Sequence, residues 1–569
     1  MTRDQLRTAF GKHLPKILGA TIAAAIVATY IGMMHNAGVV DDPWLTTNNP
    51  YVQSLSGLRT LLTKDVWTGT AVGESSNFYR PVFMCSFLVN RMLFGNTPES
   101  YHLGNLLIHL GAALLFYRLL SVILKGERRW AVWLFALWFA VAPLNSESVV
   151  WARCDALGAL FTVAALLANR LQLRAWRTAG VICATTAAIF TKESFACLPL
   201  LLVADDVLVL ERRPANESPK LAGVLGVLVL YFLARIVVGV PSASVIAGIP
   251  ASALIGSYLY LVATYAARAA VPTSLEAFRP YAPLSTSVSV AVLLAILFVT
   301  ALLARAARRA TALRARAAAF GWVWFLATLV PASTAGPNLG LVGDRYAYFP
   351  MMGLCVAVAA GLDALIVRLP RRASAATLCA LLAGIFAQAM VTRARVRDWR
   401  DEDTLFRASL RRDPANSYAL CALGVRAAQD RRWPEAEQLL RRSLALESRS
   451  FRAHNAMCVV ALNTERLAEA EAECRASLAI HSANPRAWVN LASVYIHAQK
   501  WAPCVEAAGH AIDVKKLYPE AHHLRALCLA NGGRIPEAIV ENRTALALEP
   551  THAGSLSLAA QMRSQGLIP

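Results

Sequence analysis

Long apolar runs alternate with short charged blocks from residue 17 to residue 392; from residue 400 the chain takes on the tighter spacing of soluble amphipathic helices. A run of about 20 residues suffices for a helix to cross a bilayer. The pattern predicts eleven crossings, at 17–34, 102–124, 130–144, 155–173, 178–193, 194–211, 221–240, 286–304, 320–333, 349–368 and 373–392. A further stretch, 254–271, is amphipathic through Tyr258, Tyr265 and Arg268. Counting it as a crossing would leave Arg305, Arg308, Arg309, Arg314 and Arg316 on the outer side, against the positive-inside rule. It therefore reads as a re-entrant or interfacial helix.

Residues 413–569 repeat with a period of 34. Ala419, Ala453, Ala487 and Ala521 form one column; Ala436, Ala470, Cys504 and Ala538 a second; Leu444, Leu478, Ile512 and Leu546 a third. Small residues where helices cross, large apolar ones between them and turns ending in proline mark tetratricopeptide repeats, two helices per unit. Four units are predicted, with 553–566 as a capping helix and Arg525 standing where an apolar residue is expected. Such an array offers a groove for an extended polypeptide or a partner protein; a structural lid or a dimerisation module is the alternative. Cys421, Cys458, Cys474, Cys504 and Cys528 fall at small-residue positions and read as core hydrophobes, not as disulfides or zinc ligands.

Composition sharpens the picture. The chain has 569 residues, 56% of them hydrophobic, and a mean hydropathy of +0.45, which excludes an ordinary soluble protein. Its net charge of +20 sits in short basic blocks between apolar runs, the distribution expected of a polytopic membrane protein and not of a nucleic-acid binder. With Arg3, Arg7, Lys12 and Lys16 inside, the alternation delivers Lys125, Arg128 and Arg129, then Arg170, Arg174 and Arg177, then Arg212 and Arg213, to the same inner side. The first run reads as a retained signal anchor. The reading is an all-α chain, with a membrane domain over 1–399 and a repeat domain over 400–569 on the outer side. Arg393, Arg395, Arg397 and Arg400 resist it, because they follow the last crossing on that outer side.

Five ionisable clusters then share the outer face: Asp41-Asp42, Tyr79-Arg80-Pro81, Glu147 with Arg153 and Asp155, Lys192-Glu193, and Asp344-Arg345. Ionisable groups at a membrane boundary are costly unless solvated, paired or part of a site. An adjacent carboxylate pair suits a general base, and Arg suits bidentate phosphate binding. His102, Asn105 and His109 lie on one helical face and can hold a phosphate or a sugar. A solvated loop explains Asp41-Asp42 without function, interfacial anchoring explains Arg80, an internal salt bridge explains Glu147 with Arg153 and Asp155, and snorkelling explains Lys192.

In order along the chain, Asp41-Asp42, Asn49-Pro50, Asp65-Val66-Trp67, Tyr79-Arg80-Pro81, Tyr101-His102-Leu103-Gly104-Asn105, Pro143 to Glu147, Trp151, Arg153, Asp155, Lys192-Glu193 and Arg345-Tyr346-Ala347-Tyr348-Phe349-Pro350 resemble the transmembrane and tetratricopeptide-repeat O-mannosyltransferases and their bacterial relatives, of the GT-C glycosyltransferase superfamily. Val66 replaces the usual Phe, and Asp344 the usual Glu. The resemblance implies a GT-C-like helical domain of about eleven spans followed by a repeat solenoid. It also implies transfer of a sugar, mannose in the family, from a polyprenyl-phosphate donor to a hydroxyl on a protein or glycan acceptor at the extracytoplasmic face.

On that expectation Asp41 and Asp42 are catalytic, and Arg80, Lys192 and Arg345 bind the donor phosphate. His102, Asn105, Glu147, Arg153, Asp155 and Glu193 orient the substrates. No metal ligands are assigned; no cofactor is required, though a divalent cation is compatible. The expected setting is a bacterial inner membrane with the repeats in the periplasm, and the partners are donor, acceptor and membrane lipids. Two alternatives stand beside it: a lipid-linked oligosaccharide ligase, and a non-enzymatic scaffold that recruits partners through its repeats.

Overall fold

The computed structural model describes residues 3–567 apart from 69, 71–77, 126–128, 152, 241–248, 274, 310–312 and 367–368, with side chains left out at 3–12, 129, 338 and 339. Of the charges counted above, Arg128 and the side chains of Arg3, Arg7, Lys12 and Arg129 lie outside the described residues. The described chain is helical except for one short antiparallel ribbon that pairs Arg279–Pro280 with Leu341–Val342. It divides into two compact units, Met1–Leu405 and Phe406–Pro569.

In the first unit, seven described helices are long and apolar enough to cross a membrane: His13–His35, Pro98–Ile123, Pro214–Val238, Thr286–Ala307, Leu313–Pro337, Asp344–Ile366 and Arg371–Asp398. Trp130–Val141 with Pro143–Val150, bent by 46° between them, makes an eighth if the pair is one span. The runs at 155–173, 178–193 and 194–211 form the helices Arg153–Ala168, Arg174–Thr191 and Leu198–Ala204, which are not among these. Arg153–Ala168 is buried along most of its length, so protein surrounds it where a crossing would meet lipid. Thr286–Ala307 is its opposite, with no buried residue. The 254–271 run forms the helix Ala251–Ala270. The apolar pattern passed over Pro81–Phe94, a 14-residue apolar helix too short to span. Pro81 opens it, where a missing N–H costs nothing, and Phe83, Met84, Phe87 and Leu88 are buried.

Two glycines set a close helix crossing. A Cβ on Gly321 would lie 2.6 Å from the Gly353 carbonyl oxygen, and one on Gly353 would lie 2.6 Å from the Phe325 nitrogen. Backbones touch there, the usual gain from small residues at membrane helix contacts.

The second unit stacks four helix pairs, Ser417–Gln429 with Trp433–Leu446, Phe451–Asn463 with Leu467–Ile480, Pro485–His497 with Trp501–Val514, and Pro519–Asn531 with Ile535–Leu548, closed by Ala553–Ser564. The alanine columns are buried as the period requires. The turn between the helices of each pair holds one left-handed residue, at Arg431, Glu465, Gln499 and Gly533, again 34 apart. Arg525 fits by pairing with Glu541 at 3.0 Å. The register also reaches back one helix: Phe406, Ser409 and Leu410 of Glu402–Arg412 fall in the columns of Leu440, Ser443 and Leu444.

The cysteine expectation is corrected. Cys458 is bridged to Cys474 within the second pair, and Cys504 to Cys528 between the third and fourth. Their Cα atoms are 5.2 and 6.0 Å apart, inside the disulfide range. The small-residue columns that suit a buried thiol also bring helix backbones close enough to join two of them. Cys421 is a free, buried thiol.

Gly353→Val should push the two helices apart and destabilise the unit by about 1–3 kcal/mol, as overpacking usually does. Gly361→Val, on the same helix with nothing within 4 Å of an added Cβ, is the control. Thermal unfolding in detergent should show a lower midpoint for the first variant and little change for the second.

Candidate active site

Asp41 sits at the N-terminus of a short helix, Asp42–Leu45, whose first turn contains Pro43. Asp42 lines a cavity of about 70 Å³ with Gly38, Thr46, Phe87, Tyr101 and His102. The Val39 amide donates to its Oδ2 at 3.4 Å. Burial pushes the Asp42 carboxyl well above the usual carboxylate range, opposed by the Val39 hydrogen bond, aided by the Asp41 charge and opposed again by Arg153. A carboxylate held out of water with a raised pKa is a stronger base when ionised.

His102 and Asn105 border the same cavity. The His102 ring bonds the Asn36 carbonyl at 3.2 Å. Asn105 donates to the Val150 carbonyl at 3.3 Å and accepts from Arg153. Arg153, 1% exposed, commits its guanidinium to Asn105, Asn90 Oδ1 and the Tyr101 carbonyl. It braces Pro81–Phe94 against Pro98–Ile123 beneath the cavity. His109, placed on the same face by sequence, lies in the core between Tyr348 and the Ala140 carbonyl.

The other clusters form ion pairs between segments far apart in sequence. Arg80 meets Glu193 through two bonds, Nε to Oε2 at 3.0 Å and Nη2 to Oε1 at 2.5 Å. Lys192 Nζ lies 2.6 Å from Asp155 Oδ1 and 5.6 Å from the Tyr346 ring centre. Arg345 gives Glu147 both a guanidinium bond and its backbone amide, the latter at 3.0 Å. The same guanidinium packs over Trp151 at 5.0 Å and Tyr346 at 4.8 Å. Asp155, Lys192, Tyr346, Arg345 and Glu147 thus form one continuous line, with Glu193 next to Lys192 in sequence.

Sequence reasoning missed the surroundings of Asp344. This buried carboxylate receives Arg395 at 3.1 Å, Arg279 at 3.4 Å and Arg268 at 3.5 Å. Arg395 had counted only as a charge on the wrong side of the membrane; it is 4% exposed and fully engaged. The usable signal was a run of arginines, Arg393, Arg395 and Arg397, closing an apolar helix on the side that the charge rule disfavours.

The two halves of the site meet at the end of Arg371–Asp398. Trp399 stacks on Trp151 at 5.9 Å, and Trp151 carries Arg345. Asn36 donates to the Val396 carbonyl at 3.0 Å, and Ala37 to the Arg400 carbonyl at 2.8 Å, which fixes the approach to Asp41 and Asp42. Among the described residues, no three His, Cys, Asp or Glu side chains are arranged to hold a metal ion.

No protein-family profile matches the chain. It is 25% identical over 465 residues to the human protein O-mannosyl-transferase TMTC4, 70% of this chain and 62% of that one. This chain is similar to the TMTC proteins. It is 32% identical over 164 residues to human TMTC1, 28% of this chain and 18% of TMTC1. The matches to human and mouse TMTC1 span about a fifth of those relatives' length. Among solved structures, a thermophilic tetratricopeptide-repeat protein of Thermus thermophilus is similar at 17% identity and a TM-score of 0.26, over 33% of this chain and 93% of that one. This chain joins candidate membrane spans to tetratricopeptide repeats.

The raised Asp42 pKa predicts a stability effect. A folded-state pKa above the unfolded value of about 3.9 means that the fold is penalised once the unfolded carboxyl ionises, and the penalty is complete above the folded pKa. Asp42→Asn should therefore unfold at a higher temperature than the parent at pH 7. The gap should close as pH falls towards about 4. A variant that is less stable at pH 7 would show that the ionised carboxylate is held by favourable contacts.

Proposed function

We propose that this chain is an integral-membrane glycosyltransferase that moves a sugar, mannose by analogy with its relatives' names, from a polyprenyl-phosphate donor to a hydroxyl on a protein acceptor. The observation that carries the reading is the placement of Asp42. A base with a raised pKa lines a small cavity at the end of the membrane unit that also holds Lys192 and Arg345. The acceptor hydroxyl loses its proton to Asp42 while its oxygen bonds to the anomeric carbon of the sugar. The bond from that carbon to the phosphate oxygen breaks, and the lipid phosphate leaves with the electron pair. Lys192 and Arg345, with Arg80 nearby, meet the developing phosphate charge through donors that their carboxylate partners leave unused. Glu147, Asp155 and Glu193 hold those cations in place.

The site is proposed to face the periplasm of a bacterial inner membrane, with the repeats on the same side. Three observations support this. The Arg371–Asp398 helix ends against Trp151 and the Asp41-Asp42 segment, so the chain leaves the first unit at the site end. Arg395 is paired inside the protein and Arg393 donates to the Ala28 carbonyl, which weakens the objection from the charge rule. Two disulfides in the repeats belong to an oxidising compartment.

Asp42→Asn should insert normally and lose sugar transfer by about 10²–10⁴, measured with a polyprenyl-phosphate mannose and a hydroxyl-bearing peptide. Full transfer by the variant would remove Asp42 from the role, and Asp41 would be tested next. In cells, a thiol reagent applied under non-reducing conditions should leave Cys458, Cys474, Cys504 and Cys528 unlabelled until dithiothreitol is added. An alkaline phosphatase fusion after residue 569 should be active. Labelled thiols with an inactive fusion would place the repeats in the cytoplasm and favour the scaffold reading.

A further inference from the structure

One guanidinium ties together the segments that carry Glu147 and Arg345. Arg395 Nε donates to Ser146 Oγ at 3.0 Å, one Nη to the Leu275 carbonyl, and the other Nη to Asp344 Oδ2 at 3.1 Å. Each partner adjoins a residue that shapes the Arg345 environment. Ser146 precedes Glu147, and Asp344 precedes Arg345. Leu275 begins the segment carrying Phe278, whose ring packs on Trp151 at 5.6 Å and lies 5.9 Å from the Arg345 guanidinium. Glu147 and Arg345 therefore come together from hairpin and loop because a third element, the Arg371–Asp398 helix, grips the neighbour of each.

We infer that Arg395 is a positioning residue for the donor-phosphate site: through Ser146 and Asp344 it sets the angle at which Glu147 presents Arg345. This rests on the donor reading proposed above. The chemistry favours Arg over any substitute. A planar fork reaches three acceptors on separate segments at once, which the single flexible ammonium of Lys does not. The burial is unfavourable in itself, since a cation 4% exposed gives up its hydration and recovers it only through complete partnering. Asp344 is braced again by Arg268 and Arg279 on its Oδ1, and the Tyr265 hydroxyl donates to the Gly343 carbonyl at 2.6 Å. The loop before Arg345 is thus held from the Ala251–Ala270 helix and from the ribbon as well, so loss of the Arg395 fork should loosen the Arg345 pair without dismantling the fold.

The test is a double-mutant cycle on the purified full chain, with a short-chain polyprenyl-phosphate mannose as donor and a threonine-containing peptide as acceptor. Arg395→Lys should raise the donor KM about tenfold or more with the peptide KM unchanged, the pattern of lost donor binding. In the Arg345→Ala background the same change should have no further effect, because a residue that acts through Arg345 has nothing left to position. Equal losses in both backgrounds, or none in either, would overturn the inference. If Arg395→Lys fails to accumulate, Ser146→Ala removes one of its three acceptors and runs the same cycle. Hydrogen exchange over residues 343–348, faster in Arg395→Lys than in the parent, reads the tether without any turnover. Unchanged exchange there would count against the inference, whereas an inactive parent with altered exchange in the variant would count against the donor reading alone.

Discussion

A charge withdrawn from water at a membrane boundary has to find its counter-charge inside the protein, and most of the first unit is arranged around that requirement. At one end, Arg80 with Glu193, Lys192 with Asp155, Arg345 with Glu147 and Arg395 with Asp344 each join separate segments. Another buried group does the same for other helices: Asp205 takes Arg170 at 2.7 Å, Asp206 takes Lys220 at 2.5 Å, and the Asn169 amide bridges both carboxylates. Apolar packing alone would let membrane helices slide and rotate, because lipid competes with side chains for the same contacts. Ion pairs at helix ends fix axial position, since removing one partner leaves a buried charge at a cost of about 3–5 kcal/mol.

The repeat unit solves a different problem. Its columns of buried alanine let helices approach closely, with Leu440, Met457, Leu491 and Leu524 buried around them. Covalent links add to that packing, one within a repeat and one between neighbours. A disulfide stabilises chiefly by restricting the unfolded chain, so the two add to crossings that are already closely packed. Ser443 and Ser477 add hydrogen bonds to the Ser417 and Phe451 carbonyls at 2.8 Å each, a small repeated joint between the two helices of a pair.

Periodicity made the helices, the repeats and the five clusters legible in the sequence, because both the apolar runs and the 34-residue columns are local signals. The pairing was not legible. Glu147 and Arg345 are 198 residues apart, and no spacing rule connects them. Arg395 illustrates the failure well: charge counting treats each arginine as solvated, whereas this one is consumed by Asp344 and so lost to the count. Arg153 and Asn105, read from sequence as orienting residues, bond to each other, a pairing no local spacing reveals. Pro81–Phe94 escaped notice because an apolar run of 14 residues falls between a span and a loop. Burial of the repeat cysteines was anticipated, but the closeness of their backbones was not, since distance across a helix crossing depends on which neighbour each small residue faces.

Thr286–Ala307 has no residue buried against protein, which gives it an unusual freedom. Every other long helix in the unit must satisfy particular neighbours, so its side chains are fixed in shape as well as polarity. Apart from Thr300, whose hydroxyl accepts from Trp322 at 2.9 Å, and its half-buried positions, this one answers to the surrounding lipid, which asks for hydrophobicity and length and is indifferent to the order of Leu, Val, Ile and Phe. Its composition can therefore track the thickness and fluidity of whichever membrane the protein inhabits while the end that carries Asp42 and Arg345 stays unaltered, making it the part of the molecule through which adaptation to a new bilayer would pass with least disturbance.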